Sequence, residues 1–414
     1  MMGKLNNDFK IFMDARLMFY AGVGRYQREL LINIFKNKED IGLNKNYAGI
    51  NKKNHKKGSK INRNETKNLK FFILGDKNKI NDFIISNDLP FENFIVINNK
   101  AKKYSFLEQV SLSYVFLKYR KKVNLFFFPH FNISIFYIPK NSVVTVHDLT
   151  YFHYSKYFGI FKAFAAKLLL QRVLKKTKKI ITVSNFVKQD IINMFGYIKS
   201  VDLKNKIKVI YEGHNSIFNQ KSISDDKEVF HRKDNFSIRP YILYLGNRKK
   251  HKNILGLIKT YKIVKKDDNF KDLELILIGS KFKKVDFIDK FIKKEKISGV
   301  IQLSNLKDEE IRSYYSNALA FTFFSISEGF GLAPLEAAAS GAPLILANAG
   351  ALPEVFKNAA IFVDPLNELE MANAIKKVIS DEKFRNELKK SSFELAKRYS
   401  SEKMAFETLN YFKI

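Results

Sequence analysis

Three observations predict an α/β chain built as two doubly wound, Rossmann-like domains facing across a cleft. Short runs of β-branched and aromatic residues alternate with helix-length segments over most of the sequence. Such runs read as strands buried on both faces, the pattern of a parallel sheet covered by helices. Glycine turns follow several of these strands and lead into helix starts, and at 414 residues the chain is too long for one ordinary core.

Residues 10–14 read as the first strand, and Ala21-Gly22-Val23-Gly24-Arg25-Tyr26 opens a helix carrying Leu30, Leu31 and Ile34. Gly22 and Gly24 there point either to close approach of a phosphate or to a tight packing turn. Residues 51–70 are rich in lysine and asparagine and read as a mobile, solvent-facing insertion. Further strands are expected at 71–74, 125–128, 142–146, 179–183 and 208–211, which closes the first half. Polar residues 216–238 form the expected linker. The second half restarts with a strand at 241–246, a helix from about 253 to 264, and strands at 273–279, 300–303, 319–325 and 343–347. The division expected is 1–215 and 216–397, with a terminal helix in 398–414 packing back on the first domain. Ligands of such sheets lie at the carboxyl ends of the strands.

The chain has no cysteine, which excludes disulfides, thiolate chemistry and zinc held through sulfur. No run of 18 residues is free of charge, and the first residues lack an apolar core of signal-peptide length, so the cytoplasm is the expected location. Lys plus Arg number 73 against 41 Asp plus Glu, a formal charge of +32. Attraction to an anionic surface explains this excess, and so does a compositional drift toward Lys, Asn, Ile and Phe; the two are compatible. The basic residues are scattered, and Phe and Tyr sit in core patterns, so no nucleic-acid footprint emerges.

The segment Ser327-Glu328-Gly329-Phe330-Gly331-Leu332-Ala333-Pro334-Leu335-Glu336 joins a buried strand to a helix start. Backbone N–H groups of Gly329, Phe330, Gly331 and Leu332 there suit an anion. Glu328 and Glu336 cannot bind that anion, but they can accept from hydroxyls on either side of it, which outlines a nucleotide sugar. The plainer reading of Glu336 is a helix acid favoured by the dipole. Arg248 and Lys252, in Gly246-Asn247-Arg248-Lys249-Lys250-His251-Lys252-Asn253, lie between a strand and a helix and form a candidate pyrophosphate clamp. His147-Asp148 follows a strand where the cleft should open. His147 there can bind a sugar hydroxyl or shield an oxocarbenium-like transition state, or it is simply a satisfied core histidine. His130, in a similar loop, is a weaker candidate. No Asp-x-Asp metal pair is evident, and Arg248, Lys252 and backbone N–H groups can neutralise phosphate without a divalent ion.

Together these motifs resemble the retaining glycosyltransferases of GT-B family 4 over essentially the whole chain. The family's Glu-x7-Glu motif matches Glu328 to Glu336, its early glycine loop matches Gly22 to Tyr26, and its basic phosphate motif matches Arg248 and Lys252. Val183-Ser184-Asn185-Phe186 resembles the opening of the last main helix of its first domain. Ile210-Tyr211-Glu212-Gly213-His214-Asn215 resembles the turn before its linker, with Glu212 in place of the common asparagine. Ala349 to Val355 resembles the loop and short helix beyond its donor site.

The resemblance implies a catalytic pair, His147 and Glu328, both at the donor sugar. It implies donor contacts from Gly22, Gly24, Arg248, Lys252, Gly329, Phe330, Gly331, Leu332 and Glu336, with neither cofactor nor metal. Pro129-His130-Phe131-Asn132-Ile133, with the segments around His147 and Arg248, resembles bacterial mannosyltransferases that build surface polysaccharides such as lipopolysaccharide from GDP-mannose. A UDP-sugar (glucose or N-acetylglucosamine) is the alternative donor.

Apolar helical stretches at 104–119 and 157–174 are edged by Lys102, Lys103, Lys118, Arg120, Lys121, Lys175 and Lys176. They read either as a membrane-facing surface that admits a lipid-linked oligosaccharide acceptor, making the protein peripheral on the inner face of the cell membrane, or as ordinary core helices. The competing functions are a binding-only relative, a sugar-nucleotide epimerase, a phosphorylase and a nucleic-acid-binding protein.

Overall fold

The computed structural model describes residues 8–35, 66, 68–99, 105–155, 159–198, 200–219, 239–279 and 286–413. Most of the predicted insertion and linker, 51–65, 67 and 220–238, lies outside the described residues.

Two all-parallel sheets carry the chain. The first comprises β1 (Phe9–Asp14), β2 (Leu69–Gly75), β3 (Phe94–Asn98), β4 (Leu125–Phe128), β5 (Ser142–Val146), β6 (Lys179–Thr182) and β7 (Ile207–Val209), in the order β3-β2-β1-β4-β5-β6-β7. The second comprises β8 (Tyr241–Leu245), β9 (Glu274–Ile278), β10 (Val300–Leu303), β11 (Ala320–Phe323), β12 (Leu344–Ala347) and β13 (Ile361–Val363), in the order β10-β9-β8-β11-β12-β13. Both orders reverse beside their first strand, at β1/β4 and β8/β11, which opens a crevice at the carboxyl ends there.

Period-two alternation explains the burial. Ile11 and Met13 of β1 share one core with Leu125 and Phe127 of β4, while Phe12, Phe126 and Phe128 point into the other. The helices needed below are α1 (Ala21–Phe35), α2 (Phe106–Tyr119), α3 (Ile160–Lys176), α4 (Asn185–Phe195), α5 (Ile254–Val264), α6 (Leu332–Ala339), α7 (Leu352–Phe356) and α8 (Ser401–Lys413). Met404, Ala405, Leu409 and Phe412 of α8 join the core that holds Leu30, Leu31 and Ile34 of α1, and the Phe412 ring lies 4.8 Å from that of Phe127. Among the described residues no helix is long and apolar enough to cross a membrane.

Two strands escape the sequence reading, β3 and β13. Both are sheet edges; β3 is half-exposed and β13 has three residues, so neither shows the continuous apolar run of a central strand. The strand expected to reach 325 pairs only to Phe323, and Ser325 turns its hydroxyl to the carbonyls of His251 and Ser327.

A buried charge cluster ties the end of β1 to α2. Arg16 donates from Nε and Nη2 to both oxygens of Asp14, at 2.8 and 2.7 Å, meets Glu108 through Nη1, and also donates to the Asn132 carbonyl at 2.7 Å. Burial pushes the Asp14 carboxyl up, but Arg16 and His130 outweigh it and hold the group well below the usual carboxylate range. Its contribution to stability is therefore present above about pH 4 and is lost as acid protonates it. Replacing Arg16 by Met should strand two buried carboxylates and cost about 3–5 kcal/mol. Urea unfolding checks this, and a loss below about 1 kcal/mol would contradict the account.

Candidate functional site

The carboxyl ends of the two sheets meet along the loops after β5 and β11. Gly329 sits against the backbone of His147 so closely that a Cβ there would overlap the His147 carbonyl. Three hydrogen bonds fasten the same seam. Ser184 donates to the Gly329 carbonyl at 2.6 Å, Thr150 and Ser327 share a hydroxyl bond of 2.8 Å, and Tyr154 donates to the Ile326 carbonyl at 3.2 Å.

On the second domain, the 250–252 turn and the 325–328 loop are joined by their backbones. The His251 carbonyl accepts from the Ile326 N–H at 2.9 Å and from the Ser325 hydroxyl at 3.2 Å. This brings Lys252 onto Glu328 as an ion pair, with both side chains about seven-eighths buried. The Lys252 ammonium also lies 5.3 Å from the centre of the Phe323 ring. Helix α6 starts directly after this turn. Its capping position is Gly331 at φ +105°, a left-handed conformation that favours glycine, and no side chain caps the helix. Leu332 and Ala333 thus present N–H groups without intrahelical partners. Phe330 is buried against Tyr211 and Tyr399 and acts as the anchor of the turn.

Glu336 lies in the second turn of α6, deeper than the helix start the sequence suggested, and is 3% exposed. Arg25 reaches it from α1 at 2.8 Å and donates to Asp308 at 2.7 Å. The Arg25–Glu336 approach is not aligned as a hydrogen bond. Burial raises the Glu336 pKa, Arg25 lowers it, and Asp308 and Glu29 add repulsion, leaving it at about 7. The folded state therefore gains from protonation, and this contribution declines as pH rises from about 4.5 to about 7. Arg25 follows directly on the glycine loop. Gly24 packs on the Met18 carbonyl, where a Cβ would lie 2.5 Å away, whereas Gly22 faces open space. Gly24 is therefore needed for packing, and Gly22 has no steric reason within the protein.

His147 is held at both ring nitrogens, by Glu212 at 2.8 Å and by the Pro129 carbonyl at 2.9 Å. Among the described residues, no three or more His, Asp or Glu side chains gather as a metal centre.

This fold recurs in known proteins. Residues 226–394 match the family described as Glycosyl transferases group 1. The chain is 28% identical to O-antigen chain mannosyltransferase B of Escherichia coli, over 67% of this chain and 72% of that one. It is 33% identical to the O-antigen chain mannosyltransferase RfbU of Salmonella typhimurium, over 58% of this chain and 61% of that one. The chain resembles the GT-B glycosyltransferases of group 1. Anabaena HepE, solved in complex with UDP-glucose, superposes with a TM-score of 0.70 at 16% identity, over 97% of this chain and 99% of that one.

Arg248 does not join Lys252. Its guanidinium donates to Asp286 at 3.0 Å and Asp289 at 3.2 Å and meets Gln302. Arg248, Asp289 and Gln302, together with Tyr244, Gly246 and Gly279, line a pocket of about 190 Å³ at the carboxyl ends of β8, β9 and β10.

The sequence reading named the segments that hold Glu354 and Glu212 but missed the contacts of both residues. Glu354, on α7, accepts from the N–H groups of Asn185 and Phe186 at 2.8 and 2.7 Å, and from the Tyr211 hydroxyl at 2.8 Å. It caps α4 from the other domain. The missing signal was that α4 has no acid in its own first turn. Glu212 has its partner 65 residues away.

Gly329→Ala should keep the fold and lower transfer turnover by roughly tenfold or more, about 1.4 kcal/mol in the barrier, because the loops can no longer meet. Melting and initial-rate measurements on the same sample check this, and full turnover would show the contact to be dispensable.

Proposed function

We propose that the chain is a retaining, metal-independent mannosyltransferase that moves mannose from GDP-mannose to a glycan or lipid-linked oligosaccharide of a surface polysaccharide. The observation that carries the reading is the Lys252–Glu328 pair beside the uncapped start of α6. The O-antigen mannosyltransferases among the relatives point the same way.

A diphosphate on the α6 amides would replace Glu328 as the partner of Lys252, leaving Glu328 free to accept from sugar hydroxyls. Ribose hydroxyls would likewise replace Arg25 at Glu336, with the open face of Gly22 letting the start of α1 come close. Arg248, at the pocket rather than beside Lys252, would reach the nucleotide from the base side. A pocket wall carrying Asp289 and Gln302 suits guanine, whose N1–H and 2-amino group both donate, better than uracil with its single ring N–H. The departing phosphate takes the acceptor proton on the face where the acceptor attacks. The cationic side chain and helix amides stabilise the phosphate charge without a divalent ion.

Calorimetry with GDP-mannose, UDP-glucose and UDP-N-acetylglucosamine in parallel tests the donor. GDP-mannose should bind selectively, and selective UDP-sugar binding would overturn this assignment. Lys252→Ala should weaken GDP-mannose binding by about 1.5–3 kcal/mol, while Glu328→Ala should impair transfer much more than GDP binding. Turnover lost in EDTA and restored only by a divalent ion would refute the metal-independent part.

The acceptor side presents an apolar platform. Phe106, Leu107 and Tyr114 of α2 and Phe161 and Phe164 of α3 are 62–91% exposed. Phe136 bridges the two helices, with its ring 5.7 Å from Phe106 and its carbonyl accepting from Arg172 of α3 at 3.3 Å. Exposed Lys118, Lys162, Lys175 and Lys176 accompany it on the same helices. Apolar side chains with a basic rim match an anionic bilayer, where a lipid-linked acceptor would be presented. The protein should sediment with phosphatidylglycerol vesicles at low salt and be released as salt rises. Phe161→Ser should weaken this binding, and failure to bind such vesicles at low salt would sink the idea.

A further inference from the structure

The His147 ring is fixed from several directions. A carbonyl can only accept, so the bond to Pro129 requires a proton on Nε2. Nδ1 faces Glu212 Oε1 at 2.8 Å, with Glu212 5% exposed at the end of the segment after β7. The Tyr26 ring of α1 stands edge-on to the imidazole at 4.9 Å. Asparagine, the common residue at position 212 in the family that this chain resembles, would offer an amide in place of the carboxylate.

We infer that Glu212 is a positioning residue that holds His147 as an imidazolium with both N–H groups engaged, so the ring lines the seam as a fixed cation and cannot act as a base. The inference rests on the reading of His147 as a residue of the donor-sugar site. Burial alone would disfavour the charge, but the hydrogen bond and charge of Glu212, the Pro129 carbonyl and Asp148 outweigh it and raise the His147 pKa. The groups around the ring agree with this assignment. His130, on the loop after β4, is kept neutral mainly by its own burial, which limits its repulsion of His147. Burial, opposed by its hydrogen bond to Thr145, keeps the Tyr26 hydroxyl protonated, so α1 adds no negative charge.

The chemical consequence concerns the proton. In transfer the bond from the sugar carbon to the diphosphate oxygen breaks, with its electron pair going to that oxygen. The acceptor oxygen forms the new bond to the same carbon, and its proton goes to the departing diphosphate. A histidine that already carries two protons cannot intercept it. The His147–Glu212 pair stabilises the fold fully below the ordinary histidine value near 6.5, and the contribution is lost as pH rises through the higher folded value.

The test uses the full chain labelled with 15N-histidine, with the His147 signals among the seven histidines identified by their loss in His147→Asn. Long-range 1H–15N spectra should show both His147 nitrogens protonated at neutral pH and still so above the ordinary histidine range. In Glu212→Gln the ring should titrate near or below 6.5. GDP release from GDP-mannose in that variant should gain a limb falling as pH rises through the same value, with kcat reduced roughly tenfold at pH 8 and KM little changed. Glu212→Asp should restore part of the wild-type profile. A bare nitrogen on wild-type His147 at neutral pH would place the proton on Glu212 and overturn the inference, even if the variants fail to fold. An unchanged pH profile in Glu212→Gln would overturn it too. Absence of turnover in the wild type with every nucleotide sugar tried would instead overturn the glycosyltransfer reading, which the spectra do not depend on.

Discussion

The approach of Gly329 to the His147 backbone is the constraint on which the rest of the molecule depends. Two sheets from opposite halves of the chain bring their carboxyl ends edge to edge there, and no side chain fits between them. Everything around the seam is arranged to tolerate that distance. Ser184 reaches across to the Gly329 carbonyl, Glu354 caps a helix of the opposite domain, and Arg25 crosses to Glu336. A side chain at 329 would loosen all of these together, because they share one separation between two rigid layers.

Burial of charge is the second theme. Arg16 sits with Asp14 and Glu108, Lys252 with Glu328, Arg25 with Glu336 and Asp308, and His147 with Glu212. A buried ion without its partner is strongly destabilising, so each residue survives at its depth only through the other. The pairs differ in what surrounds them. The Arg16 cluster lies wholly inside the first domain and ties β1 to α2, which is a structural duty. The pairs at Lys252 and Arg25 border the free amides of α6 and the cleft, where an anion or a hydroxyl can exchange for one partner at modest cost.

Much of the fold was legible because central strands of a parallel sheet are buried on both faces and read as continuous apolar runs. The strands at 125–128 and 142–146 and the helix beginning near 253 stand where their letters suggest. The edge strands β3 and β13 were not legible, since an edge pairs on one side and its residues need not be apolar throughout. Among candidate residues, Lys252, Glu328, Gly329 and His147 do come together at one seam, while Arg248 turns to a pocket lined by Asp289 and Gln302. A lysine and an arginine four positions apart on a turn can point anywhere that the next acid attracts them.

By itself the sequence determined the periodicities, the glycine turns and the residue types around them, because these are local and follow from backbone sterics and side-chain alternation. It carried Glu328 and Glu336 as a spaced pair, but not their partners. Only the tertiary structure decided that Glu328 meets Lys252, that Glu336 lies under Arg25, and that Glu212 holds His147 across 65 residues. Ion pairing depends on distance in space and on exclusion of water. Both are set by how two separately wound sheets are pressed together, which no local spacing records.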